Sequence, residues 1–536
     1  MTNVREATFD VLRQLSMTRI FSNPGSTEVS LLTDLPDDLE FVLGLHEASV
    51  VGMATGHALA SGTTALAILH TTAGLGNAVG ALATARVNKA PLVVVVGQQD
   101  RRHLALEPFL AGHLDGLAGD YPVWVNQPAR PQDVPGSIAR AYYEAEHARG
   151  PAIVIVPMDD WLEDFDTTVE QASPTAVVRS RAVAEQDLAA VVEFVEASLR
   201  PLLVVGAGLD TREGWDGVIA LAERLGCDVQ QESFGSRAGF PQDHQQFRGH
   251  LPAGRARLRE TLSAYDLVLT IGAPVFRQYP FESGRLAPES VPIVVITDDP
   301  AEAHRSPATL AVLADPAHAT SLLSRLVGPR KAQTIDTPSH PVEPLTRPMD
   351  GAPLRAVHVL QSLASRLSAE SVVVEETPSS RPDLHRLIPA RAPLGFLSAA
   401  MGGLGFAMPA SIGVKMASPS RPVITVIGDG SSLYSIQALW SAARYNVGVL
   451  FVVLSNGRYA IMDRLAEQEK SGPAPWPSFE DVSIGGIAES LGCPVTRVSD
   501  FSALTSALDE VVPTLETRKT PLVLEVAVAT ERTFQA

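Results

Sequence analysis

Two oxygen-bearing side chains, Asp429 and Asn456, stand 27 residues apart, each just past an apolar run, VITVIG and VLFVVLS. A carboxylate and an amide oxygen are hard donors, the kind that Mg2+ or Ca2+ takes alongside phosphate oxygens. Between them, DGSS reads as a turn and LYSIQALWSAARYN as a helix. A strand–helix–strand crossover of this length is right-handed and leaves both residues at the carboxyl ends of neighbouring parallel strands. That is where open α/β sheets bind ligands. Gly428 and Gly430 predict a sharp turn, and Ser431 the opening of a helix whose amino end favours an anion. GDG alone is a weak signal; strand, GDG, helix, strand and Asn in succession is a specific one.

Such a pair needs a sheet to hold it, and the chain is rich in candidates. TALAILH, PLVVVVG, AIVIVP, PLLVVGAG, LVLTIG, PIVVIT, SVVVEE, VITVIG, VLFVVLS and LVLEVAV alternate with alanine-rich helical stretches. Continuous apolar runs suit strands covered by helices on both faces. Two polar, proline-containing stretches, 164–185 and 328–353, read as linkers. The expected fold is therefore α/β, in three domains (1–165, 183–328 and 354–536), each with a mostly parallel sheet flanked by helices. The outer two follow the same plan. EASVVGMATGHALASG leads to TALAILH, glycine-rich TTAGLGN, helix AVGALATARVNK and PLVVVVGQ, while GGLGFAMPASIGVKMA leads to VITVIG, DGSS, a helix and VLFVVLSN. This predicts two similar domains around a different central one.

Composition excludes other classes. Hydrophobic residues make up 45% and charged residues 19% of 536, which marks a folded globular protein. A net charge of −18 without a Lys/Arg-rich run argues against nucleic acid as a partner. Two distant cysteines, Cys227 and Cys493, build neither a disulfide framework nor a zinc site and suit a reducing compartment. The first residues lack the basic start and apolar block of a signal peptide, and no apolar run is long enough for a bilayer. The expected setting is the cytoplasm, without a membrane.

The stretch from Gly428 to Asn456 is similar to the thiamine-diphosphate motif, which opens with GDG and closes on an asparagine pair. Here Ser455 precedes Asn456 where the motif has a first asparagine. The resemblance implies thiamine diphosphate held through Mg2+ or Ca2+ by Asp429, Asn456 and the main-chain carbonyl of Arg458. That cofactor works only when a carboxylate hydrogen-bonded to N1′ of its pyrimidine drives its amino group to take the C2 proton. Glu47, after FVLGL and before a helix of small residues, stands where such an acid is needed. It is also a residue type that favours a helix amino terminus for purely structural reasons.

FSNPGSTEVSLL, LGLHEASVVGMATGHALAS, LHTTAGLGNAVGAL, PLVVVVGQQ, IGAPVFR and GGLGFAMPASIGV extend the resemblance over nearly the whole chain, to the 2-keto-acid decarboxylases of the benzoylformate decarboxylase type. It implies a pyrimidine-binding, a central and a diphosphate-binding domain. It also implies a homo-oligomer, a dimer of dimers with the cofactor between the first domain of one subunit and the third of another. It assigns Ser26 to the substrate carboxylate and His70 to proton transfer. It lines the cofactor with Asn23, Pro24 and Gly25, with Thr377 and Pro378, and with Gly402, Gly403 and Leu404. Gly428, Gly430, Ser431, Tyr434, Tyr459, Ala460 and Ile461 complete that lining. Leu404 matches the bulky residue that bends the cofactor.

The chain departs from that type in two places. A second active-site histidine is expected after GAPVFR, and Tyr279 takes its place. With an unperturbed pKa near 10 against about 6.5, tyrosine is the poorer proton shuttle at neutral pH. Ile461 stands where a smaller residue is usual, and Leu465 where an aromatic one is, which narrows the pocket and removes a wall for a phenyl ring. The expected activity is non-oxidative decarboxylation of a 2-keto acid to an aldehyde, with a substrate other than benzoylformate. The alternatives are a carboligase of the acetolactate-synthase type and a cofactor-binding protein without chemistry. A Rossmann dehydrogenase needs G-x-G-x-x-G after a strand, and GLGN supplies only a fragment.

Overall fold

The computed structural model describes residues 2–168, 173–178, 180–279, 281–330, 346–349, 351–469, 472 and 474–530. Most of the second expected linker, and residues 169–172 and 179 of the first, lie outside the described residues.

Three six-stranded sheets, parallel throughout, organise the chain. The first holds β1 (Arg19–Asn23), β2 (Glu40–Leu43), β3 (Ala65–His70), β4 (Leu92–Gln98), β5 (Trp124–Asn126) and β6 (Pro151–Pro157), in the order β2-β1-β3-β4-β6-β5. The third holds β13 (Val372–Glu376), β14 (Phe396–Ser398), β15 (Val423–Gly428), β16 (Leu450–Ser455), β17 (Val495–Val498) and β18 (Leu522–Ala527). Its order is β14-β13-β15-β16-β18-β17, the same plan. Between them lie β7 (Pro201–Val205), β8 (Asp228–Gln231), β9 (Phe247–His250), β10 (Leu267–Ile271), β11 (Ile293–Thr297) and β12 (Leu310–Leu313), ordered β12-β11-β10-β7-β8-β9. The shared plan of the outer sheets and the different central one match the expectation from sequence. The inner strands are apolar because helices cover both faces: Val93 to Val96 in β4 are all buried. Each such valine stabilises the fold by roughly 1.5–3 kcal/mol relative to exposure.

Two expectations about local structure are corrected. Glycine-rich TTAGLGN does not precede the helix but forms its start, because the helix Thr71–Val87 begins directly after β3. Gly74 lets that helix start against the strand end; a Cβ there would sit 3.3 Å from the Leu69 carbonyl carbon and 3.6 Å from Glu47 Cγ. The stretch after GDG is not one helix. A single turn, Asp429–Ser432, opens at Asp429 rather than Ser431, and the helix resumes only at Ala438–Arg444. Between them, amides reach back three residues (Tyr434 to Ser431, Ser435 to Ser432, Ala438 to Ser435), a tighter winding than the α-helix.

The outer domains of the chain meet through two helices, Glu47–Ser61 and Ala407–Ala417. Small residues four apart, Gly52 with Gly56 and Pro409 with Gly413, form ridges that let the backbones touch. A Cβ on Gly56 would fall 2.0 Å from the Ala410 carbonyl oxygen, and one on Gly413 1.9 Å from that of Met53. Val50, Met53 and Ala54 share one core with Ala407, Met408 and Val414.

His57 lies in this contact. Its ring packs edge-on against Phe21 with centroids 5.6 Å apart, and among the described residues its Nδ1 has no hydrogen-bond partner. Burial first, and the charge of Arg19 second, push its pKa down from 6.5 to about 4. The folded chain therefore holds His57 neutral where the unfolded chain protonates it. Stability from this residue is complete above pH 6.5 and is lost as pH falls toward 4, by up to about 3 kcal/mol. Urea titrations of wild type and His57→Gln over that range test this; the difference in midpoint between them should change with pH, and a constant difference rules the effect out.

Candidate active site

Asp429 and Asn456 follow β15 and β16, which pair in parallel, so the two residues emerge side by side. Asp429 is buried, and its Oδ2 accepts the amides of Asn456 at 2.8 Å and Gly457 at 2.6 Å. Its Oδ1 accepts the amide of Gly430 at 2.8 Å. Burial raises its pKa against the pull of these amides. A carboxylate has about four lone-pair sites, and three amides leave one for a cation. Asn456 Oδ1 accepts the amide of Arg458 at 3.0 Å, which curls the main chain of Arg458 back over the asparagine. Gly457 takes a left-handed φ of 67° there. The Asp429 carboxylate is thus tied to the loop that carries the Asn456 amide oxygen and the Arg458 carbonyl, oxygen donors of the kind suited to Mg2+ or Ca2+. Gly428 is extended (φ −74°) and makes no unusual turn. Gly430 is needed for space: a Cβ would sit 2.6 Å from the Tyr459 ring and 3.0 Å from Phe479. Ala460 and Ile461 open the helix that follows, Ala460–Glu469.

Leu404 lies on a half-exposed turn between Gly402 (φ 71°) and Gly405 (φ 91°). Tyr434, about half exposed, packs its Cβ against Gly405. Thr377 is buried and gives both its amide and hydroxyl to Glu375 Oε1, while Pro378 is partly exposed.

In the first domain, Asn23 ends β1, Pro24, Gly25 and Ser26 follow it, and His70 ends the adjacent β3. Gly25 lies so close to the His70 ring that a Cβ would sit 2.4 Å from it. Ser26 is exposed at the start of a short 3-10 turn. Glu47 is the first residue of its helix, and two amides hold its carboxylate: Asn23 Nδ2 donates to Oε1 at 3.1 Å, Asn77 Nδ2 to Oε2 at 3.0 Å. His70 Nδ1 faces Glu28 Oε2 at 3.1 Å and the Thr27 hydroxyl at 2.9 Å.

Among the described residues, no hydrogen bond or ion pair joins Ser26, Glu47 or His70 to Asp429 or Asn456. Tyr279 stands apart from both groups, on a loop of the central domain; its ring is more than half exposed and its amide is bonded to the Ala253 carbonyl. A cavity of about 400 Å³ lies nearby, where Val87, Phe276, Arg277, Glu302, Arg305 and Met401 bring the three domains together.

Glu28, Asn77 and Glu376 are absent from the reading of the sequence. Asn77 sits one and a half helical turns into the helix, within the glycine-rich stretch that the sequence sets before it, which conceals its reach to Glu47. Glu28 had a signal, an acid two residues after Ser26 in GSTE. Glu376 could have been found as a charge at the end of the buried run VVVEE.

This geometry is that of a family. "Thiamine pyrophosphate enzyme, N-terminal TPP binding domain" matches residues 2–118, the central domain 188–324, and the C-terminal TPP binding domain 379–526. The chain belongs to the thiamine pyrophosphate enzymes. It is 36% identical over 517 residues to the benzoylformate decarboxylase of Pseudomonas aeruginosa, covering 95% of this chain and 96% of that one. Two solved structures superpose with a TM-score of 0.93. One is the thiamine diphosphate-dependent 4-hydroxybenzoylformate decarboxylase of Rhodococcus jostii RHA1, at 32% identity over 99% of this chain and 100% of that one. The other is the benzoylformate decarboxylase of Polynucleobacter necessarius, at 33% identity over 99% of both.

Gly97 on β4 leaves the room that Glu28 occupies; a Cβ there would sit 1.8 Å from Glu28 Oε1. Gly97→Ala should therefore push Glu28 off His70 and lower kcat for a 2-keto acid about tenfold or more, as should Glu28→Gln. Steady-state kinetics decide it, and normal turnover in both variants would leave His70 without need of its partner.

Proposed function

We propose that the protein catalyses non-oxidative decarboxylation of a 2-keto acid to an aldehyde, using thiamine diphosphate bound through Mg2+ or Ca2+. The observation that carries this reading is the pair of prepared groups: an all-oxygen loop around Asp429, and a buried Glu47 oriented by two amides. A metal-bound diphosphate alone would need only the first. The oxygen donors fit a hard cation, and Asp429, Asn456 and the Arg458 carbonyl hold it.

Thiamine diphosphate, when bound, supplies the electron sink for the pair released with CO2. The chain supplies the rest. Glu47 holds a proton at the pyrimidine nitrogen N1′. Ser26, exposed beside Gly25, takes the substrate carboxylate. His70, fixed through Nδ1 by Glu28 and Thr27, keeps Nε2 for delivering a proton to the product carbon. Tyr279 of the central domain offers its hydroxyl in the place of the second histidine. Asn23, Thr377, Pro378, the Gly402-Gly403-Leu404 turn, Gly428, Gly430, Ser431, Tyr434, Tyr459, Ala460 and Ile461 line the cofactor. The active form is a homo-oligomer, a dimer of dimers with the cofactor between the first domain of one subunit and the third of another, as the family resemblance implies. Domain limits near 1–165, 183–328 and 354–536 accord with the three sheets. No helix among the described residues is long and apolar enough to cross a membrane, and a cytoplasmic enzyme accords with that.

Ile461 and Leu465 point to aliphatic 2-keto acids over benzoylformate. Purified protein with Mg2+ and thiamine diphosphate, given both classes of acid, should release CO2 and aldehyde. A hydroxyketone in place of aldehyde makes it a carboligase; no turnover with the cofactor bound leaves a binding protein. Ile461→Ala should improve kcat/KM for benzoylformate about tenfold relative to an aliphatic acid, consistent with ~1–3 kcal/mol for pocket fit. Glu47→Gln should abolish C2–H exchange of bound cofactor, and retained exchange would remove Glu47 from its role.

A further inference from the structure

The segment leading into the Gly402–Gly405 turn is held from all three domains. Asn88, buried in the first, gives its Nδ2 to the Ser398 carbonyl at 2.9 Å and accepts the Ala400 amide at 2.8 Å. Arg277 of the central domain donates from Nη1 to the Ala400 carbonyl at 3.0 Å. Beyond Leu404, Glu376 of β13 takes over. Its Oε1 accepts the Gly405 amide at 2.7 Å, and its Oε2 the amides of Phe406 at 2.8 Å and Ala407 at 2.7 Å.

We propose that Glu376 is a positioning residue for the decarboxylation: by gathering these three amides it fixes how the turn presents Leu404 to the cofactor. The proposal rests on the reading of Leu404 given above. Helix capping alone does not account for Glu376. The residue at the head of the Ala407–Ala417 helix, Phe406, has no side-chain cap of its own, and an Asp or Ser there would be the ordinary solution. Instead a glutamate reaches across from a strand, almost wholly buried beside a second buried acid, Glu375. Burial pushes its carboxyl up to about 7, so this is a costly way to cap a helix. What the strand provides is location. Glu376 is in register with Ile427 of β15, two residues before Asp429, so one carboxylate ties the turn to the strand paired with the one that leads into Asp429. Three amides also need two acceptor oxygens. A glutamine offers one, and turns an NH2 toward an N–H.

Glu376→Gln, Glu376→Asp and Leu404→Ala test this. Amide hydrogen exchange of the cofactor-free protein, read by mass spectrometry over 399–410, should rise at least tenfold in Glu376→Gln, with the sheets unchanged. With Mg2+ and thiamine diphosphate, its kcat should fall at least tenfold and KM stay within twofold, and C2–H exchange should slow in parallel. Glu376→Asp keeps the charge but falls short by one methylene, and its kcat should lie between the two. Faster amide exchange with wild-type kcat, in either variant, makes Glu376 a helix cap only and overturns the proposal, as does unchanged amide exchange. If Leu404→Ala slows C2–H exchange and Glu376→Gln does not, Glu376 fails alone. If Leu404→Ala has no effect, the reading of the turn fails with it.

Discussion

The backbone contact between the Glu47–Ser61 and Ala407–Ala417 helices is the constraint on which the arrangement depends. The Gly56 and Gly413 positions have no space for a methyl group, because a carbonyl oxygen of the other helix already stands there. Glu47 heads one helix, and the turn with Leu404 runs into the other. Glu47 and the Leu404 turn are thus each mounted on a rod, and the two rods of one chain are seated against each other with backbone touching backbone at Gly56 and Gly413. Long side chains would hold them through rotatable bonds; direct backbone contact leaves far less freedom.

Carboxylates then do different work according to what surrounds them. Asp429 is buried among main-chain amides and keeps one lone-pair site for a cation. Glu47 is gripped by neutral amides on both oxygens, which orients it without neutralising it. Glu28 is set behind a histidine, where it fixes the ring. Three acids of similar intrinsic chemistry are separated into three uses by their donors alone.

Much of this was legible in the sequence, because strand ends in a parallel sheet are marked by apolar runs. The 27-residue spacing from Asp429 to Asn456 suits one crossover between neighbouring strands, and β15 and β16 are adjacent. The shared strand order of the outer sheets was likewise visible as a repeated succession of segments. What escaped was contact between residues distant in sequence. Asn77 reaches Glu47 only because TTAGLGN winds into helix, against the low helix propensity of its glycines; packing against β3 overrides that preference. Gly430 was read as a turn residue, yet its backbone is ordinary and the need is for ring space. Nothing local in VVVEE or GGLGFAM announces that Glu376 meets Gly405, since 29 residues separate them.

The common order of the two outer sheets has a consequence for how such a protein can change. His70 ends the third strand of one sheet, and Asp429 follows the third strand of the other; the same address in a repeated plan presents a histidine in one copy and a carboxylate in the other. A doubled scaffold has divided its labour. Under the roles proposed above, substrate-facing positions of the helix Ala460–Glu469 can drift while Asp429 and Asn456 go on holding the phosphate end. New substrates can then be acquired without the cofactor ever being put at risk.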